Sequence, residues 1–452
     1  MKVLFASSEI FPYAKTGGLA DVAYSLPLAL SRDISISRVM PLYAFMDAKS
    51  FTHVDNFTIT LNAAHYSVEI LQHQQKGIIT YFVKADLLSQ TQHPYGDEKG
   101  DYPDNALRFG IFSMAIVELA LRLGITIIHL NDWHTALVPL FVKKYELRIK
   151  TLFSIHNLAY QGIFEKDVLA TLGIEERYFT MDTLEFYGKV NFLKAGIAFS
   201  DVITTVSHVY AQEILTAEFG CGLAGFLEFH KKKLFGILNG IDYEMFPQIQ
   251  TLEEKTNAKQ TLCKEFDLKN NARPLFIMVS RLVEQKGIEL LTKSMDALLD
   301  KELNLFIIGE GEEAFCKVLH AFDKKYANFA FFEGYDEELS KQAYRSADFL
   351  LMPSLFEPCG LNQFIAMNNG AVALVHRVGG LAESVHEKEL RCGRGISYHE
   401  QNKKEFLYAI ERALALYKND KKLKKIIDFN LACDFSFTKS AKKYLALYKA
   451  LL

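Results

Sequence analysis

Two segments in the second half of the chain put charged side chains where apolar runs end. Leu275-Phe276-Ile277-Met278-Val279 is followed by Ser280-Arg281-Leu282-Val283-Glu284-Gln285-Lys286-Gly287, so Arg281 and Lys286 leave a strand end and a helix start together. Two cations so placed can converge on a diphosphate and do the work of a metal ion. The run Phe349 to Met352 leads into Pro353-Ser354-Leu355-Phe356-Glu357-Pro358-Cys359-Gly360-Leu361. Pro358 fixes a turn that carries Glu357 outward, while Cys359, Gly360 and Leu361 offer successive N–H groups at the start of the next helix. The carboxylate suits sugar hydroxyls or a developing oxocarbenium charge, and the amides suit a phosphate or the same sugar.

The first half carries matching pieces. Strand Val3 to Ser7 runs into Lys15-Thr16-Gly17-Gly18-Leu19-Ala20-Asp21, a cation and two side-chain-free residues at the start of a helix. Backbone N–H groups and the helix dipole there favour an anionic ligand. The loop is not a P-loop, because Lys15 precedes the glycines and no Ser or Thr follows to hold magnesium. Two further strand ends carry Asp132-Trp133-His134 and His156-Asn157, offering a carboxylate, a titratable ring and an amide donor. The single Trp, Trp133, reads as core. One dinucleotide-like match, Gly309-Glu310-Gly311-Glu312-Glu313-Ala314, is set aside as a packing turn, since its three carboxylates would repel a pyrophosphate.

These positions need strands and helices in alternation. Short apolar runs alternate with helical periodicity along the chain, which predicts parallel sheets with crossover helices. Strands are expected at Val3 to Ser7, Ile127 to Leu130, Thr151 to Ile155 and Val202 to Val206, with a helix from Asn105 to Leu123 whose Phe109, Phe112, Ile116, Leu119 and Leu123 share a face. Phe51 to Val83 alternates like antiparallel strands, an insertion in the first domain. After Asn239-Gly240-Ile241-Asp242 the pattern lapses into a polar helix, Leu252 to Phe266, and the Lys269-Asn270-Asn271-Ala272-Arg273-Pro274 stretch. A second strand series comes next, at Leu275 to Val279, Leu303 to Ile308, Phe329 to Phe332, Phe349 to Met352 and Ala371 to Val375. Two open α/β domains bind ligand at the carboxyl ends of their strands, so a cleft between them is the expected site.

Composition narrows the class. A chain of 452 residues with half of them apolar can form two or three cores, and a net charge of −3 with dispersed Lys and Arg gives no nucleic-acid footprint. The cysteines Cys221, Cys263, Cys316, Cys359, Cys392 and Cys433 show no CxxC or metal spacing and read as reduced thiols. With no signal peptide and no apolar run of membrane length, a cytoplasmic protein without membrane partner is expected.

Taken in order, Lys15 to Leu19, Asp132-Trp133-His134, His156-Asn157, Asn239 to Asp242, Ser280-Arg281 with Gln285-Lys286-Gly287, Phe356 to Leu361 and Gly379-Gly380-Leu381 resemble the bacterial glycogen synthase and plant starch synthase family. The resemblance spans the chain, including Asp434-Phe435-Ser436-Phe437 and the helix from Ala441 to Leu452. It implies an α/β protein of GT-B type, with two Rossmann-like parallel-sheet domains facing each other across a cleft and a C-terminal helix crossing back to the first. The implied domains are 1–242 on the acceptor side, 243–433 for the nucleotide sugar, and 434–452 as the returning helix. The implied reaction moves glucose from ADP-glucose to the non-reducing end of an α-1,4-glucan with retention of configuration, without metal or cofactor, and is completed by domain closure.

Carried onto matching positions, Lys15 would contact the donor and the Gly17 and Gly18 backbone its phosphates. Arg281 and Lys286 would neutralise the leaving diphosphate. Glu357 with the Cys359, Gly360 and Leu361 amides would hold the glucose, His156 and Asp132 would orient it, and Asn157, Asn239, Gly379 and Gly380 would complete donor binding. The chain departs from the family pattern at Asn131, usually a second His; at Leu355, usually Arg; at Asn368-Asn369, usually Arg-Tyr; and at Val378, Ile365 and Phe437, usually Thr, an aromatic and Trp. Four of these departures fall around the donor loop, where they bear on ADP against UDP preference. The rival readings are a related glucosyltransferase using UDP-glucose or another acceptor, a non-catalytic glucan-binding protein, and a nicotinamide dehydrogenase resting only on the Gly309 loop.

Overall fold

The computed structural model describes residues 1–98, 100–268, 272–387 and 393–452. The Lys269-Asn270-Asn271 part of the expected linker and Cys392 lie outside the described residues. Two compact units result. The first comprises Met1–Val206, Ala211–Ile237 and Phe437–Leu452, and the second Ser207–Tyr210 and Leu238–Ser436. The boundaries expected from sequence, after 242 and after 433, stand beside changeovers after Ile237 and Ser436. Asn239, expected in the first domain, therefore belongs to the second unit.

The first unit is built on a nine-stranded sheet in the order Leu234–Gly236, Val202–Thr205, Lys150–Ile155, Ile127–Asn131, Lys2–Ala6, Ser35–Pro41, Ile78–Lys84, Ala64–Gln75, Thr52–Leu61. The first seven strands pair in parallel and the last two antiparallel. The central strands are covered on both faces, which is why they read as continuous apolar runs. The outermost strand buries Phe57, Ile59 and Leu61 and exposes Thr58 and Thr60 between them, the period of a sheet with one wet face. The expected insertion is thus continuous with the main sheet: Ile78–Lys84 pairs parallel with Ser35–Pro41 on one side and antiparallel with Ala64–Gln75 on the other. Ser35–Pro41 was not among the expected strands, because its Ser-Ile-Ser-Arg sequence hides a buried Arg38 whose Nε donates to Thr80 Oγ1 at 3.0 Å.

The helix Asn105–Leu123 has the expected limits and ends at Gly124, whose φ of 62° suits the left-handed C-cap. The last helix, Thr438–Leu451, packs on the Gly18–Leu30 helix and buries Tyr444 and Tyr448. His129 links that helix to the sheet, with Nδ1 2.5 Å from the Tyr448 hydroxyl and Nε2 2.7 Å from Ser154 Oγ. The expected return of the chain's end to the first domain is what the fold shows.

The second unit has a six-stranded, all-parallel sheet in the order Phe329–Glu333, Asn304–Gly309, Leu275–Val279, Phe349–Met352, Val372–His376, Ile396–Tyr398. Its core includes Phe276, Met278, Leu291, Met295, Leu305, Ile307, Phe349, Leu374, Phe406 and Ile410. The expected polar helix, Leu252–Glu265, is capped by Thr251 Oγ1 accepting from Glu254 N–H. The Gly309 loop is a packing turn, as expected: a Cβ on Gly309 would lie 2.0 Å from Ser280 O and one on Gly311 2.3 Å from Leu282 O. Close backbone approach, not a pyrophosphate, accounts for those glycines.

Candidate active site

In the second unit the ends of Leu275–Val279 and Phe349–Met352 are neighbours in one sheet, so the loops beyond them meet. Lys286 Nζ donates to Glu357 Oε2 at 2.6 Å, and Ser354 Oγ donates to the same oxygen at 3.0 Å. The Glu357 side chain is 7% exposed and that of Lys286 19%, so the carboxylate is the more buried partner and water reaches the ammonium more readily. An ammonium carries three N–H donors, and one bond to Glu357 leaves the others for a ligand. Arg281 is exposed and makes no hydrogen bond or ion pair among the described residues. Gly287 joins the loops, with φ at 71° and a Cβ position 1.9 Å from Pro353 O, so any side chain would push them apart.

The turn after Glu357 is equally tight. Gly380 N–H donates to Glu357 O at 2.9 Å, and a Cβ there would sit 2.1 Å from Cys359 O. Gly360 and Gly379 have φ of 70° and 45°. Cys359 is buried beside Asn239, and burial pushes its thiol well above the ordinary range, so it is an inert wall rather than a nucleophile. Asn239 Oδ1 is buried with no hydrogen-bond partner among the described residues, an acceptor without a protein donor. Leu361 is the N-cap of Asn362–Asn368, a short helix, and Leu355 is partly exposed at the turn's outer edge.

In the first unit, Asp132 sits at the end of Ile127–Asn131 with φ 55° and ψ −179°, a backbone conformation that costs a non-glycine residue of order 1–3 kcal/mol. Its Oδ1 accepts the His156 N–H at 2.7 Å, and the Asn157 backbone also contributes. Burial nevertheless raises the carboxyl to about 7, the two backbone bonds offsetting part of the cost. The carboxylate therefore fixes the turn that presents His156 and Asn157.

His156 Nε2 lies 2.8 Å from Asn131 Oδ1, and Asn131 Nδ2 donates to Ala6 O at 2.8 Å. That second bond fixes the amide orientation, so Oδ1 faces the ring and the imidazole proton resides on Nε2, leaving Nδ1 as the free acceptor. Burial pulls the ring down to about 4, so it is neutral at pH 7. Trp133 is core, packed against Phe109, Phe164 and Phe192, and Gly162 has no side chain because a Cβ would come 2.4 Å from the indole.

The glycine loop shows a residue that sequence reasoning missed. Glu9, buried, accepts from Thr16 N–H at 2.5 Å, Thr16 Oγ1 at 2.6 Å, Gly17 N–H at 3.3 Å and the Tyr95 hydroxyl at 2.7 Å. Tyr95 continues to Ser8 Oγ at 2.8 Å and Ser8 to His134 Nδ1 at 3.1 Å, tying the loop to the Asp132-Trp133-His134 segment. The Gly17 amide thus already serves an internal carboxylate, while Gly18 opens the helix Gly18–Leu30. Lys15 pairs with Asp21 at 2.8 Å. The only local signal for Glu9 was an acid a short way before the glycines.

Among the described residues no group of His, Cys, Asp and Glu could hold a metal ion, and no helix is long and apolar enough to cross a membrane. The two loops of paired cation and carboxylate, on an α/β unit preceded by another, fit a sugar-phosphate chemistry. The comparisons agree. Residues 2–229 match the starch synthase catalytic domain and residues 260–428 the glycosyl transferases group 1 domain. The fold and site define a glycosyltransferase of the two-domain GT-B class.

Glycogen synthase of Aquifex aeolicus (strain VF5) is 40% identical over 466 residues, covering 99% of each chain, and that of Syntrophotalea carbinolica (strain DSM 2380 / NBRC 103641 / GraBd1) is 36% identical over 478 residues, covering 99% of this chain and 98% of that protein. The solved catalytic domain of starch synthase IV from Arabidopsis thaliana, bound to ADP and acarbose, superposes with a TM-score of 0.90 at 31% identity over 99% of each chain. The chain belongs to the glycogen synthase and starch synthase family.

Proposed function

We propose that the chain transfers glucose from ADP-glucose to the non-reducing end of an α-1,4-glucan such as a glycogen primer, with retention of configuration, in the cytoplasm. The observation that carries this reading is the Lys286–Glu357 pair at 2.6 Å, with Arg281 exposed and unpaired among the described residues in the same strand-to-helix segment as Lys286. Binding of glucan alone would have no use for a diphosphate-sized concentration of positive charge at a sugar-binding carboxylate. The relative solved with ADP and acarbose supports ADP as the nucleotide and an oligosaccharide as the acceptor.

In this reading Arg281 and Lys286 stabilise the diphosphate as the glycosidic bond to it breaks, and Glu357 faces the oxocarbenium charge that develops on the glucose. Cys359, Gly360 and Leu361 offer backbone N–H groups, and Asn239 Oδ1 accepts from a sugar hydroxyl. Gly379 and Gly380 keep that wall thin. Lys15 and the Gly17 and Gly18 backbone contact the donor. Neutral His156 accepts or relays through Nδ1, and Asp132 orients it with Asn157. Residues 1–242 serve the acceptor side, 243–433 the nucleotide sugar, and 434–452 anchor the first domain. Incubation with labelled ADP-glucose or UDP-glucose and glycogen tests the proposal: incorporation from ADP-glucose is expected, incorporation only from UDP-glucose would move the donor assignment, and none from either would overturn the activity.

A further inference from the structure

The Glu357 turn is supported from beneath by side chains that lie outside the recognised motifs. Strand Val372–His376 ends in a buried imidazole whose Nδ1 lies 2.7 Å from Ser354 O and whose Nε2 lies 3.0 Å from His399 O. The ring is stacked on Tyr398, centroids 5.3 Å apart. Ser354 is the residue whose hydroxyl donates to Glu357 Oε2. One residue earlier, Pro353 O accepts from Gln401 Nε2 at 2.6 Å, and Gln401 Oε1 accepts from the Tyr398 hydroxyl at 3.1 Å. The Pro353-Ser354 backbone is therefore held by two side chains, His376 and Gln401, while its own hydroxyl holds the carboxylate.

We infer that His376 is a positioning residue for the glucosyl transfer proposed above, acting through the Ser354 carbonyl to keep Glu357 registered against Lys286. The inference rests on that reading for its kinetic arm only. Its physical basis is that a buried carbonyl keeps its place when a rigid, stacked donor meets it, and that a small misplacement of a group facing developing charge costs turnover more than binding. Both partners are carbonyl oxygens, so a neutral ring donates from one nitrogen only; the shorter contact, 2.7 Å to Ser354 O, assigns that proton to Nδ1 and leaves Nε2 the bare nitrogen 3.0 Å from His399 O.

The position of the donating nitrogen can be tested. Asparagine places its amide nitrogen where Nδ1 stands, two bonds from Cβ, and glutamine places its own where Nε2 stands, three bonds from Cβ. His376→Asn is expected to keep kcat within about threefold of wild type, while His376→Gln lowers kcat about 10- to 100-fold with KM for ADP-glucose little changed, at similar thermal stability in both. Equal kcat in the two variants, or losses that track their melting temperatures, would overturn the inference. A second arm does not depend on the activity: in crystal structures the 2.6 Å Lys286–Glu357 pair is expected to persist in His376→Asn and to open in His376→Gln. A pair unchanged in the glutamine variant would refute the inference. Should the wild type transfer no glucose, the functional proposal fails and the crystallographic arm still decides the role of His376.

Discussion

Removing the Lys286 ammonium separates the stability of the candidate site from its chemistry. At 2.6 Å the gross attraction to Glu357 is about 6 kcal/mol at an effective dielectric of about 20. Most of it is offset by the desolvation of a carboxylate whose side chain is only 7% exposed. Breaking a fully buried pair costs about 3–5 kcal/mol, and because the Lys286 side chain is 19% exposed, water can reach the orphaned Glu357, so about 2–3 kcal/mol is expected for Lys286→Ala. The rate effect should be larger, about 2.7–4 kcal/mol of barrier or at least 100-fold in kcat, since a preorganised charge on the leaving group is lost.

Adding Glu357→Gln to Lys286→Ala removes the stranded charge while Ser354 still donates to the remaining oxygen. The double variant should regain about 1–2 kcal/mol of stability and none of the activity, because interacting partners are not additive. Urea unfolding of the wild type, Lys286→Ala and the double variant, with glucose incorporation from ADP-glucose, measures the two effects. A near-wild-type rate for Lys286→Ala, or a double variant no more stable than the single one, would refute the reasoning.

Three other outcomes are expected. Asp132, raised to about 7 from its ordinary 3.8, holds in the folded state a proton that the unfolded chain has lost, so its contribution to stability falls as pH rises through that window. Asp132→Asn deletes this dependence and should gain about 3–4 kcal/mol on wild type between pH 4 and pH 8 in urea titrations, the opposite-signed His156 contribution being common to both proteins; a difference constant with pH would show that the carboxyl is not desolvated. Gly287→Ala should cost on the order of 3 kcal/mol or more, as a thermal melt would report, because its Cβ would fall 1.9 Å from Pro353 O at a φ of 71°. Activity should survive excess EDTA, with Arg281 and Lys286 carrying the diphosphate charge, and a loss reversed by magnesium would give that task to a metal instead.

The central strands and the charges at their ends were legible because a parallel strand covered on both faces is a run of apolar residues, and the loop at its carboxyl end is the one that can carry chemistry. Leu275–Val279 with Arg281 and Lys286, and Phe349–Met352 with Glu357, were readable in that way. Ile396–Tyr398 was too short for its period to register, and Ser35–Pro41 was masked by a buried arginine. The continuity of the antiparallel strands with the main sheet was not legible either, since local alternation says nothing about which neighbour a strand takes.

Residue types and their order along the chain are local facts, and they were enough to determine the α/β class, the family and the set of charged groups available for chemistry. Partnership is not local. That Glu357 shares one carboxylate oxygen with Lys286 and Ser354, that Glu9 is bonded to the glycine loop and to Tyr95, that Asn131 sets the tautomer of His156, and that His376 reaches back to Ser354 were decided only by the tertiary structure. Each of these contacts depends on distance and direction between segments brought together by sheet register and core packing, and burial then sets the strength of the charges involved, which no periodicity in the sequence records.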